Sequence, residues 1–318
     1  MSLRLKLCTA ALASAGVCAP LWAANGNGQA AARGATPPPL KVCVSEDNAP
    51  LSDLRRGQVH GFDTRLAQAV AQNLGRPLHL VPFEPEVEKE AMLTHEVNAL
   101  LSAGVCELAS GFPLLRSDLG PPSRSRFKPP DHPGAKPPRE RAFVALGTLV
   151  PSLPYQGSAL VVVQRPEASG PAQRLGDLRG RRVAAPAGTL EGTLVAMYGA
   201  GTLSATMVSM GQREDVWTAL SQGRVDAILV PTTALDTHRL RQPQSNLVAG
   251  MRRELGINLG FVALASDQPL LDEVNRVIER ATASGELQEW AKQSGLTWIP
   301  PTQPAVADSL NLSHWLND

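Results

Sequence analysis

Between Leu40 and Gly75 the spacing of apolar positions changes from two residues to nearly four, which predicts a strand, a polar turn and an amphipathic helix in direct succession. Leu40, Val42 and Val44 are β-prone and alternate along the chain, and the run stops at the turn-forming, acidic cluster Ser45, Glu46, Asp47, Asn48 and Pro50. Past Gly57 and Gly61, the residues Phe62, Leu66, Val70 and Leu74 fall at four-residue steps on one helical face. Asp63 stands where a carboxylate accepts hydrogen bonds from the unpaired amides of a helix start, and Gly75 suits a left-handed exit.

The pattern then repeats. A strand is predicted over 76–82, a helix over 87–103 through Leu93, Val97, Leu100 and Leu101, and a third strand over 106–110. This βαβαβ order predicts a parallel sheet with right-handed crossovers. Periodicity vanishes over 117–141, where PPSRSRFKPPDHPGAKPPRER mixes prolines with Arg and Lys; the expectation is a basic insertion, loop or disordered, either simply solvated or docking a partner. Strand-like runs return over 143–150 and 158–163 with Tyr155 between them, as extended segments joining two lobes would. In the second series, strands over 181–185, 206–210 and 225–230 alternate with helices through Leu194, over 214–222 and over 232–240. Strands over 246–251 and 256–265 follow, then helices over 270–283 and 286–293, and the prolines after Trp298 predict a loosely packed tail over 299–318.

With 318 residues the chain is long enough for two lobes, each with its own core. Its 30 basic and 29 acidic residues nearly cancel, so no nucleic-acid footprint is expected. Residues 1–24, with Arg4 and Lys6 before a small apolar segment and an exit at Ala23 and Ala24, read as a secretory signal peptide. A lipoprotein signal through Cys18 competes, though Ala15, Gly16 and Val17 fit it poorly. Residues 25–39 are then a flexible leader, and no later apolar run is long enough to cross a membrane, so no insertion is expected after cleavage to the periplasm. Cys43 and Cys106 remain, either as a disulfide between neighbouring strands or as two buried thiols.

The segments GFDTRLAQAVAQNLG, LPYQGSALVVV, DLRGRRVAAPAGT, ALSQGRVDAILV and LLDEVNRVIERATASGELQEWAKQSGL, in that order, resemble the family 3 periplasmic solute-binding proteins of ABC transport systems. The resemblance implies an α/β, periplasmic-binding-protein-like (type II) fold. Its two lobes would each be a mainly parallel sheet flanked by helices, joined by two hinge strands around a ligand cleft: 40–155 with 256–298, and 156–255. The family's amino-acid binders carry a Thr after the third strand and, three residues on, an Arg that clamps the ligand carboxylate; here those places hold Leu115 and Asp118, with Arg116 out of register. The family's ammonium-binding carboxylate falls near Pro231, and Asp226 reads as structural. The cysteine positions together with NALLSAGVCELASGFPL are similar to a subset associated with quinoprotein alcohol dehydrogenases.

In open α/β sheets ligands sit beyond the carboxyl ends of the strands, which points to Glu46, Asp47 and Asn48, with ordinary turn residues as the alternative. Read as a binding protein, the chain adds Ser110 and Gly111 after the third strand, and Gly188, Thr189, Glu191, Gly192 and Thr193 at a helix start whose amides favour an anion. Glu191 has a second reading as a helix-end carboxylate, and Thr232 and Thr233 are either site residues or N-caps. His60, His79, His95, His132, His238 and His314 are scattered, with no metal spacing, nucleophile set or cofactor motif. The expectation is a noncatalytic periplasmic protein acting as accessory to a quinoprotein dehydrogenase, or as the receptor of an ABC permease for a small solute that, with both clamp positions lost, is not a standard α-amino acid and in one reading is an anion; a dehydratase using Glu191 is the remaining alternative.

Overall fold

The computed structural model describes residues 37–85, 93–167, 170–211, 214–310 and 312–316. The signal peptide, nearly all of the leader and the start of the helix predicted from Val87 lie outside the described residues. Strand β1 (Leu40–Ser45) is followed by a small antiparallel sheet of β2 (Asp47–Asn48), β3 (Ser52–Arg55) and β4 (Gln58–His60), where the sequence predicts only a turn. Helix α1 (Phe62–Asn73), β5 (Leu78–Phe83), α2 (Leu93–Ser102) and β6 (Leu108–Pro113) complete the first series, with β5 and β6 both parallel to β1.

Asp63 does not cap α1. The N-cap is Gly61, at φ 132°, where an added Cβ would lie 2.2 Å from the Leu51 carbonyl oxygen. The amides of Phe62 and Asp63 donate to the Pro50 and Leu51 carbonyls, which frees the Asp63 side chain to turn inward. Cys43 and Cys106 form a disulfide with a Cα–Cα distance of 5.7 Å; Cys106 stands just ahead of β6 rather than within it.

The proline-rich segment contains β7 (Arg126–Phe127), paired antiparallel with β8 (Val144–Ala145). Its Arg141 is buried and bonds Asp131 at 2.8 Å and the Lys136 carbonyl at 2.6 Å, so part of its basic charge is spent internally. Next come β9 (Leu149–Pro151), β10 (Gln156–Gln164), β11 (Val183–Pro186), α3 (Leu190–Gly201), β12 (Met207–Met210), α4 (Val216–Ser221), β13 (Ala227–Pro231) and α5 (Thr232–Arg241). The two strands predicted after α5 are one, β14 (Val248–Leu264), because Gly256, at φ 71°, lets the chain jog within a continuous pairing. Helices α6 (Gln268–Ser284) and α7 (Glu286–Ser294) meet at the left-handed Gly285 and pack on α1.

The main sheet has nine strands in the order β12-β11-β13-β10-β14-β6-β1-β5, with β9 beside β14. Pairing is parallel at both ends and antiparallel only around β10 and β14, which connect the lobes. Each half of the sheet has a hydrophobic cluster on either face. Phe62, Leu66 and Val274 sit on one face of the first half and Phe83, Leu100 and Phe112 on the other. In the second lobe the two clusters hold Leu175, Leu194 and Leu229, and Leu220, Ile228 and Leu235.

The C-terminal run is packed, contrary to the loose tail its prolines predict. Val306 joins the first lobe's cluster and Ala307 bridges Leu115, while Trp315 of α8 (Ser313–Leu316) is fully buried in the second lobe's cluster. Backbone hydrogen bonds of Ala307 to Leu114 and Arg116 and burial of Ile299, Ala307 and Trp315 together offset the cost of ordering the run.

Candidate functional site

The carboxyl ends of β1, β6 and β13 and the first turn of α3 open on a cleft crossed by β10. Its cavity measures ≈ 300 Å³ and is lined by Asn48, Gly111 and Pro113 from the first lobe, Glu191, Thr232 and Thr233 from the second, and residues 156–160 between them. That volume lies at the small end of the ~300–1,000 Å³ typical of ligand pockets. Leu51, Leu93, Leu160, Leu255 and Leu259 give it mainly apolar walls. The strand arrangement thus brings together Asn48, Gly111, Glu191, Thr232 and Thr233 of the residues singled out in sequence.

The others lie elsewhere. Asp47 is exposed and pairs with Arg241 across the lobes at 3.4 Å, on a neighbouring groove of ≈ 460 Å³. Glu46 does not line the cleft; burial and then the charges of Glu84, Asp131 and Asp47 push its carboxyl above the usual range. Thr189 is the N-cap of α3, accepting from the Gly192 amide at 3.2 Å and donating to the Pro186 carbonyl at 2.8 Å. Gly192 is required by packing, since a Cβ there would stand 2.7 Å from that same carbonyl oxygen. Thr193 donates to the Thr189 carbonyl at 3.0 Å, and Gly188 is exposed outside the lining. The helix start read as an anion cradle therefore spends its hydroxyls internally, leaving Glu191 as its contribution to the cleft.

Neither Thr232 nor Thr233 caps α5, whose N-cap is Pro231; Thr232 instead donates to the Ala159 carbonyl at 3.0 Å. Gln156 is likewise engaged, donating to the Thr297 carbonyl at 3.1 Å. Glu191 makes no capping bond either, as the α3 cap is complete without it. Among the described residues, the side chains of Asn48, Ser158, Glu191 and Thr233 line the cavity with no hydrogen-bond or ion-pair partner.

Behind Gly111 lies a network that local sequence reading misses. The Tyr155 hydroxyl accepts from the Gly111 amide at 2.7 Å and donates to Asp63 Oδ1 at 3.1 Å, joining the cleft wall to the start of the hinge strand β10. Asp63 is 1% exposed and its Oδ2 has no partner. Burial drives its carboxyl up to about 7, against the pull of Ser110 and Tyr155; the Ser110 hydroxyl is close but outside hydrogen-bonding geometry. Burial, then the Asp63 charge, raises the Tyr155 phenol well above its ordinary range. Gly111, at φ 67°, separates Asp63 from the cavity: a Cβ there would come 3.1 Å from Oδ2. The signal in the chain was Asp63 itself, an acid at the apolar-facing start of a helix.

No Lys, Arg or His occurs among the described lining residues. Arg116, the nearest sequence candidate for a clamp, pairs with Asp308 of the C-terminal run at 2.5 Å, and Asp226 is held by Arg182 at 2.7 Å, which with burial opposing keeps its carboxyl below the usual range. No cluster of His, Cys, Asp and Glu able to hold a metal occurs among the described residues. No described helix is long and apolar enough to cross a membrane.

No family model and no curated protein matches the chain. Solved structures do. The L-cystine solute receptor of Neisseria gonorrhoeae, in its unliganded open conformation, aligns with a TM-score of 0.57 at 17% identity, covering 83% of this chain and 96% of that one. An amino acid ABC transporter substrate-binding protein of Streptococcus pneumoniae bound to L-arginine aligns with a TM-score of 0.50 at 22% identity, covering 80% and 94%. A further such protein from that organism, also bound to L-arginine, gives 0.50 at 20% identity, covering 82% and 95%. At these identities the likeness shows the fold, a two-lobed periplasmic-binding-protein-like α/β architecture.

Proposed function

We propose that the chain is a noncatalytic solute-binding protein which, once exported by its N-terminal signal, captures a small molecule between its lobes and presents it to an ABC permease. The observation that carries this reading is the ≈ 300 Å³ cavity lined from both lobes and from the hinge strand. The role of the similar structures as transporter substrate-binding proteins and receptors supports it. Catalysis finds little support, because Glu191 has no second carboxylate and no His, Cys, Lys or Tyr beside it among the described lining residues to activate a hydroxyl or share a proton.

A second reading, an accessory of a periplasmic quinoprotein alcohol dehydrogenase, draws on the disulfide and on the lack of a guanidinium in the described cleft lining. Native mass spectrometry of the protein purified from periplasm separates the two. A retained small molecule, released on unfolding, is expected. Repeated absence of any such molecule, with a dehydrogenase co-purifying, would overturn the transport reading in favour of the accessory one.

A further inference from the structure

Resting on the solute-binding reading, we propose that the cleft takes a small organic cation: a compact apolar body bearing a primary ammonium, with Glu191 as its counter-charge. Glu191 is a half-buried carboxylate facing the cavity with no hydrogen bond or ion pair. A carboxylate in such a place favours a partner that brings positive charge and N–H donors. The helix dipole favours an acid in the first turn of α3 but does not explain why this one faces the cavity.

The remaining free groups agree. Asn48, Ser158 and Thr233 offer an amide and two hydroxyls, which accept from an ammonium as readily as they donate. The leucine walls suit an apolar body, and ≈ 300 Å³ limits its size. A ligand carboxylate would enter this site against Glu191, with no cationic side chain among the described lining residues to receive it.

The test uses the full-length exported protein and isothermal titration calorimetry with three probes of one shape: isopentylammonium, 3-methyl-1-butanol and 4-methylpentanoate. Saturable binding of isopentylammonium is expected, weakened at least about tenfold in Glu191→Gln and largely recovered in Glu191→Asp, as for loss of a charged hydrogen bond. The alcohol should bind more weakly than the ammonium, and the carboxylate not at all. Binding of the carboxylate or the alcohol as tightly as the ammonium, an unchanged affinity in Glu191→Gln, or no binding of the ammonium would each overturn the assignment of ligand class. Retained solute in the native mass spectrum would still support capture in that event, so the two readings fail separately.

Discussion

Replacing Asp63 with Asn tests whether a buried carboxyl sets the pH dependence of stability. The folded carboxyl titrates near 7, against an ordinary value of 3.8. Because the folded value is raised, the associated stability is fully present below the unfolded pKa and is lost as pH rises through the folded one. At about 1.4 kcal/mol per pH unit, the wild type should lose on the order of 3 kcal/mol between about pH 5 and pH 8 from this group alone. Glu46 and Asp236, also raised mainly by burial, act in the same sense, whereas His95 and His238, lowered mainly by burial, act oppositely, so the difference between variant and wild type isolates Asp63. Asn keeps an oxygen for the Tyr155 hydroxyl but cannot ionise. Urea denaturation at several pH values should show Asp63→Asn gaining on the wild type as pH rises, with a flatter profile. Parallel profiles for the two proteins would refute the argument, since they would mean that the carboxyl does not change protonation on unfolding.

Three other outcomes follow from packing. Replacing both Cys43 and Cys106 with Ala opens a loop with a sequence separation of 63 and should cost about 4 kcal/mol in the chain-entropy model, read as a lower urea midpoint that reductant no longer affects. Trp315→Ala empties a fully buried site and should cost about 3–5 kcal/mol, with faster hydrogen exchange in α8 and in the α3 turns beside it. Gly61→Ala places a side chain at φ 132° against the Leu51 carbonyl and should cost at least about 1–3 kcal/mol in thermal or urea unfolding.

The βα order was legible because apolar spacing reports which face of a local element is buried, and β1, α1 and β5 lie close to their expected bounds. Pairing at long range was less so. Asp63 looked like a helix cap because the nearest donors in sequence are helix amides, whereas its true partner, Tyr155, is 92 residues away. Residues 252–255 read as a gap between two strands because their charges interrupt the apolar run, whereas Arg252, Arg253 and Glu254 pair with β10. The short strands β2 to β4 hide among turn residues because they pair mainly with one another and need little apolar surface. In the candidate site, the strand-end rule found Asn48 and the helix start found Glu191, but Ser158 escaped because it sits within a hinge strand rather than at an end.

The packed C-terminal run acts as a leash on the travel of the two halves. Ala307 is fastened to Leu114 and Leu115 on one side, and Trp315 to Glu254 and the second lobe's interior on the other. Eight residue steps of fully extended chain reach at most about 28 Å. Whatever swing the hinge allows, those two anchor points cannot part further unless Trp315 leaves its socket or Ala307 lets go, so loosening either should widen the accessible range of domain angles.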